Sequence, residues 1–283
     1  MEFIYSTRNP SVPVAYSSMD AMHTRCEILL PFLPEEEARA ATEEVWALVT
    51  EADRRYNRFV KWSALSEVNR RAGLETVEVD EEMFLVLSLC ETFRKATGGY
   101  FDVSAGSRVS DRSLLLDASA HTVRFSRLGM ALDLGGFAKG FVLEKAARAV
   151  SARTDSALLS FGGSSVAAVG KHPLGPAWPA SVAHPYYADR TVASFPLEDA
   201  ALSVSGKDPH GKGHIIDPFT GDMLERDGLV AVTGPSAMVT EVLSTALWVA
   251  PAQKRGEIRA AFDGYRATEI RYRTDGQAWT VTL

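Results

Sequence analysis

Three stretches of this 283-residue chain carry residue types whose spacing could do chemistry. The first is Leu132-Asp133-Leu134-Gly135-Gly136-Phe137-Ala138-Lys139-Gly140. An apolar, strand-like approach over residues 130–134 meets two glycines and then a helical pattern in Phe141, Val142, Ala146, Ala149 and Val150. Paired glycines let the main chain come close to a ligand, and the free N–H groups opening a helix, with Lys139 among them, suit a phosphate. A tight strand-to-helix turn accounts for a single Gly-Gly just as well. The second stretch runs from Ser236 through Glu241 and Thr245 to Leu247. Glu241 and Thr245 are four apart and share a helix face, and a carboxylate among Val242, Leu243, Ala246 and Leu247 is costly unless it is paired. Either Glu241 bonds a neighbouring hydroxyl or lysine, or Glu241 and Thr245 offer hard oxygens to a cation, a set that favours Mg²⁺ or Ca²⁺ over zinc. The third is His214-Ile215-Ile216-Asp217-Pro218-Phe219-Thr220-Gly221. There His214 and Asp217 could orient each other or serve as a base, while Asp-Pro-x-Thr-Gly is also a plain turn signal.

Further glycine-rich turns occur at Thr97-Gly98-Gly99-Tyr100-Phe101-Asp102, at Gly162-Gly163 and at Ser205-Gly206. Each alone reads as a turn; together they look like the lining of a phosphate-rich ligand site. The dinucleotide fingerprint Gly-x-Gly-x-x-Gly and the phosphate loop Gly-x4-Gly-Lys-Ser/Thr are both absent, so the common nucleotide folds lack support.

The elements that must position these residues are read from periodicity. A strand is predicted over residues 23–31. Pro34 and an acidic turn then open a long helix whose Ala41, Val45, Val49, Ala52 and Tyr56 recur at helical spacing. A short helix over 63–71, a brief strand over 77–79 and a second long helix over 81–96 follow. Short strands are expected over 114–116, 123–125, 157–161, 166–169, 178–182, 191–195 and 201–204. A helix capped by Ser236 runs to Val249, another covers 256–262, and closing strands lie near Ile270 and Thr280. Strands come in adjacent pairs more often than singly between helices, which points to an α+β fold with much antiparallel sheet rather than a doubly wound one. No repeat or linker interrupts residues 1–283, so one unit is expected.

Composition narrows the function classes. Hydrophobic residues make up 46% and charged residues 23%, with no apolar run long enough for a membrane span. A net charge of −6 without a basic block argues against a nucleic-acid partner. Cys26 and Cys90 read as buried free thiols. The first residues show no secretory signal, so a cytoplasmic location is expected, with a periplasmic lipoprotein the alternative if a leader was removed.

Taken in order, these stretches resemble the FAD:protein FMN transferase family, the ApbE flavin transferases. The strongest part of the likeness is His-Ile-Ile-Asp-Pro-x-Thr-Gly together with Asp-Leu-Gly-Gly-x-Ala-Lys-Gly. The resemblance implies an α+β, T-fold-like architecture with a mixed, largely antiparallel sheet and packed helices. It implies transfer of the FMN moiety of FAD, with Mg²⁺, to a threonine or serine hydroxyl of an acceptor flavoprotein, releasing AMP. It places a metal on the backbone carbonyl of Ala138, on Glu241 and on Thr245, flavin contacts at Met22 and Phe59, and FAD contacts at Tyr100, Phe101, Asp102 and Lys139. His214 and Asp217 fall beside the reacting phosphates, and the acceptor is expected to dock an extended segment near Gly162-Gly163 and His214. Three positions depart from the family's usual residues: Glu241 where Asp is common, Phe59 where Tyr is common, and Ser164 where Asp often follows the glycines. These departures keep open a non-catalytic FAD-binding protein, and a second alternative is an FAD pyrophosphatase giving FMN and AMP, in which water replaces the acceptor hydroxyl.

Overall fold

A computed structural model describes residues 1–107, 109, 111–207 and 215–283, with only the backbone of Ala188. Strands β1 (Glu2–Ser6), β2 (Val14–Ala21) and β3 (Thr24–Pro31) form an antiparallel meander. Helix α1 (Glu35–Tyr56) has the acidic first turn read from the sequence, which complements its dipole, and it buries the expected Ala41, Val45, Val49, Ala52 and Tyr56. Ser63 caps α2 (Ala64–Arg71) by accepting from the Ser66 N–H. Beyond β4 (Val77–Glu78), Asp80 caps α3 (Glu81–Ala96) in the same way from Met83. With β5 (Leu114–Asp117) and β6 (Thr122–Phe125), β4 makes a small sheet in the order β4-β6-β5.

Helix α4 (Ala138–Ser151) leads into β7 (Ser156–Phe161) and β8 (Ser165–Gly170). A ribbon of β9 (Trp178–His184) and β10 (Tyr187–Leu197) precedes β11 (Ala200–Gly206) and β12 (Leu229–Gly234). The chain closes with α5 (Ala237–Val249), α6 (Ala252–Ala260), β13 (Arg266–Tyr272) and β14 (Ala278–Thr282).

Among the described residues the main sheet has nine strands in the order β1-β2-β3-β7-β8-β11-β12-β13-β14, and each of its pairings is antiparallel. The fold is therefore α+β, with the antiparallel character that strand pairing in the sequence implies. Both faces of its centre are covered. Ala167 and Val169 of β8 face the large core with α1, α3 and α4, while Val166 and Ala168 pack with Trp178, Ala180 and Leu197 of the β9–β10 ribbon. Double-sided burial explains why 166–169 is an unbroken apolar run.

Three local expectations change. Met22 and His23 are not strand residues: they form the two-residue turn between β2 and β3, both at positive φ (52° and 58°). Strand β2 escapes a hydrophobic-pattern reading because its Ser17 and Ser18 are buried; Ser17 Oγ accepts from Trp46 Nε1 at 2.8 Å and donates to the Glu2 carbonyl at 2.7 Å. Helix α6 starts at Ala252, after Pro251, so Gly256 lies inside it rather than at its start. No helix among the described residues is long and apolar enough to cross a membrane.

Candidate functional site

The last glycine of the Gly-Gly-x-Ala-Lys-Gly stretch fixes the geometry of the site. A Cβ on Gly140 would lie 2.6 Å from the Ala237 carbonyl oxygen, 2.7 Å from Glu241 Cβ and 3.0 Å from Met238 Cα. Only glycine lets α4 and α5 approach this closely. The approach brings together two side chains 102 positions apart: Lys139 Nζ lies 2.6 Å from Glu241 Oε1. Ser165 and Ser203 donate to Glu241 Oε2 at 2.6 and 3.0 Å. A carboxylate that is only 6% exposed thus has three donors, which offsets its loss of water. One turn on, Thr245 Oγ1 lies 3.2 Å from Ser205 Oγ. The pairing reading of Glu241 is realised with both a lysine and hydroxyls.

The same arrangement tests whether a hard cation fits. The groups on this wall that could ligate a metal, Glu241, Thr245 and the serines, present oxygens, and Glu241 Oε1 already holds a cation in the form of the Lys139 ammonium. Thr245 shares the α5 face with Glu241, and both line the same cavity. Oxygen donors of this kind suit a hard cation better than zinc, and among the described residues no group of three or more His, Cys, Asp or Glu is placed to hold a metal ion.

The cavity measures about 650 Å³, within the range of small-molecule sites. It gathers Tyr100, Phe101 and Asp102 from the loop after α3, Lys139 from α4, and Gly163 from the β7–β8 turn. Ser205 and Gly206 at the end of β11 and Glu241 and Thr245 on α5 complete the predicted residues that line it. Five others stand apart from the lining. Ala138 is buried at the first residue of α4, and Gly162, at φ 68°, packs against Thr24. Met22 adjoins His23, whose ring meets Phe59 edge-on at 5.7 Å. Phe59 itself is 74% exposed, next to Arg58, which does line the cavity. Asp217 accepts from the Phe219 N–H at 2.8 Å, while its neighbours Ile216 and Pro218 line the cavity. His214 lies outside the described residues.

The approach to the two glycines is extended chain that joins no sheet, and side chains replace the ladder. Asn69 donates to the Leu132 carbonyl (2.9 Å) and accepts its N–H (2.7 Å). Ser107 does the same for Ala131 at 2.9 and 2.8 Å, and the Asp133 N–H reaches the Val103 carbonyl at 2.7 Å. Strand-like residues are thereby held where the backbone of Gly135 and Gly136 faces the cavity.

Asp102 is committed to its own loop: Oδ1 accepts from Ser104 N and Oγ at 2.7 and 2.6 Å, and Oδ2 lies 3.4 Å from Arg112 Nη2. Arg112 also donates to the Pro218 carbonyl, so it ties the 102 loop to the Asp217 turn. Beside them the Tyr100 and Phe219 rings lie 4.9 Å apart. Sequence reading missed Arg112, which sits in a stretch without periodicity, and the Arg58–Asp133 ion pair at 3.0 Å on the cavity rim. Asp133 was visible inside its motif, but nothing local points to its partner 75 positions away.

Known proteins resemble this chain in sequence and in fold. The chain is 27% identical over 302 aligned residues to an FAD:protein FMN transferase of Treponema pallidum (strain Nichols), covering 84% of this chain and 78% of that protein. It is 23% identical over 245 residues to an FAD:protein FMN transferase of Chlamydia muridarum (strain MoPn / Nigg), covering 74% and 75%. Among solved structures, the flavin transferase ApbE from Vibrio cholerae superimposes with a TM-score of 0.80 at 20% identity, covering 96% of this chain and 97% of that one. The ApbE protein from Thermotoga maritima gives 0.79 at 22% identity, covering 94% and 96%. A likeness at that identity speaks for the fold. The model of the ApbE family matches residues 22–267, most of the length, and the chain belongs to that family.

Proposed function

We propose that this chain transfers the FMN moiety of FAD to a threonine or serine hydroxyl of an acceptor flavoprotein, with Mg²⁺, releasing AMP. The observation that carries the reading is the α4–α5 wall. There the Gly135-Gly136 turn with Lys139, of a kind that suits a phosphate, faces the same cavity as Thr245 and as Glu241, whose Oε1 holds the Lys139 ammonium. The names of the Treponema and Chlamydia relatives support the same activity.

In this reading the acceptor hydroxyl oxygen attacks the phosphorus on the FMN side of the pyrophosphate. A new O–P bond forms as the anhydride O–P bond breaks, and AMP leaves with its electron pair. Lys139 and the N–H groups opening α4 hold the phosphates in line. Glu241, Thr245 and the Ala138 carbonyl would hold Mg²⁺, which when bound supplies charge neutralisation at the phosphates. His214 or Asp217 takes the hydroxyl proton. Tyr100 lines the cavity and, with Phe219 packed against it, offers an aromatic face for a ring system. The acceptor segment enters extended, past Gly162-Gly163 and His214.

The test is incubation of the protein with FAD, Mg²⁺ and an acceptor domain carrying an exposed Thr or Ser segment. Mass spectrometry of the acceptor and AMP release are followed together. FMN-modified acceptor with stoichiometric AMP is expected. Free FMN and AMP with an unmodified acceptor would replace transfer by hydrolysis, and FAD left intact would leave a flavin-binding protein.

A further inference from the structure

Glu241 divides its two oxygens unequally. Oε2 is closed by the hydroxyls of Ser165 and Ser203, and Ser203 is itself tied to Ser244 at 3.0 Å. Ser244 continues to Ser205 at 2.8 Å and Ser205 to Thr245 at 3.2 Å. This chain of hydroxyls clamps the carboxylate from behind, whatever lies in front of Oε1. In front of Oε1 stands the Lys139 ammonium at 2.6 Å, which also donates to the Gly135 carbonyl at 3.2 Å. Lys139 is the more exposed partner, 23% against 6%, and its ammonium sits on a flexible four-carbon stem that reaches into the cavity.

A divalent cation of the Mg²⁺ class binds a carboxylate oxygen at roughly 2.1 Å. At Oε1 it would enter the space the ammonium fills, and two cations at that separation repel strongly. We propose that Lys139 is an exchangeable counter-ion. In the ligand-free protein it neutralises Glu241 and keeps affinity for divalent ions low, and it must vacate Oε1 before an ion can take that oxygen. The clamp on Oε2 keeps the carboxylate in place through the exchange, and the released ammonium stays on the cavity side where Gly135 and Gly136 lie. The inference rests on the flavin-transferase reading for which oxygens the ion takes, yet its test uses neither flavin nor acceptor.

The experiment is calorimetric titration of Mn²⁺ alone into the wild-type chain, Lys139→Met and Lys139→Arg, and into Lys139→Met combined with Glu241→Gln, with circular dichroism of each. Lys139→Met should bind Mn²⁺ at least tenfold more tightly than the wild type. Lys139→Arg, which keeps a cation on Glu241, should stay as weak as the wild type or weaker. The double variant should lose the gain, which locates it at Glu241. Equal or weaker Mn²⁺ binding by Lys139→Met overturns the proposal, as does tightening in Lys139→Arg, which also serves if Lys139→Met fails to fold. A chain that transfers FMN but shows no gain in Lys139→Met refutes the exchange alone, and one that shows the gain but transfers nothing refutes the function alone.

Discussion

Helix α4 carries two lysines, and each ammonium lies 2.6 Å from a glutamate, yet Lys139 at the start of the helix and Lys145 at its middle do different things. At mid-helix Lys145 meets Glu82 Oε2, Glu82 Oε1 accepts from the Tyr56 hydroxyl at 2.6 Å, and Arg55 grips both oxygens of Asp80 at 2.6 Å. Burial, and then the Glu82 carboxylate beside it, pushes the Tyr56 hydroxyl well above its ordinary pKa, so it stays a donor. These contacts knot α1, α3 and α4 together. Glu82 and Lys145 are 37% and 39% exposed, a setting in which an ion pair contributes about 1 kcal/mol at most. At the helix start Glu241 is buried, hydroxyls hold its back, and a cavity opens in front. Contact distance is the same in both places; free space and surplus donors separate a site from a strut.

The sharpest way to break this contrast is Gly140→Ala. The added methyl would strike the α5 backbone, so α4 and α5 must part, and a loss of about 3 kcal/mol is expected, read as a lower urea midpoint with AMP release abolished. Next is Glu241→Ala. Turnover should fall roughly 100-fold or more while far-UV circular dichroism is retained, because the orphaned Lys139 can hydrate through the cavity. Glu241→Asp should keep metal-dependent AMP release. At the mid-helix pair Glu82→Gln should lower stability by about 1 kcal/mol and leave turnover unchanged. If turnover fell with Glu82→Gln and survived Glu241→Ala, the roles assigned to the two pairs would be reversed.

The smallest effect is acid dependence beside the mid-helix pair, at Asp80. The Arg55 guanidinium, against the opposing effect of burial, and the Met83 N–H hold the Asp80 carboxyl below its ordinary range. A depressed folded value means that its contribution is present above about pH 4, the ordinary carboxylate value, and is lost as pH falls through the lower folded one. Asp80 is 55% exposed, so solvent screening keeps the effect under about 1 kcal/mol. Urea midpoints between pH 6 and pH 3 should fall less steeply in Asp80→Asn, which still caps α3, than in the parent.

The long helices were readable because α1 and α3 bury one stripe each, and burial at fixed spacing is what a sequence records directly. The Gly-Gly turn, Lys139 and Glu241 were readable as residue types, and a lysine or hydroxyl partner for Glu241 was among the readings. Which lysine answers it was not, because Gly140 sets that contact through a helix crossing rather than through spacing. Strand β12 went unnoticed because Val230, Ala231 and Val232 are buried on both faces and so show no alternation. The chain over 130–134 looks like a strand because its residues are apolar; Asn69 and Ser107, polar and distant, supply its hydrogen bonds.

The pairing of β3 with β7 sets Cys26 opposite Phe161, with α1 to α4 in the span between them. Joining those strands closes a very long loop, and the entropy of that closure is paid before most native contacts can form. The cavity draws its walls from both sides of the closure, from Arg58 through Gly163 to Val249. No early folding nucleus built from neighbouring segments contains a working site. A ligand that binds only the finished molecule should therefore slow unfolding rather than speed folding.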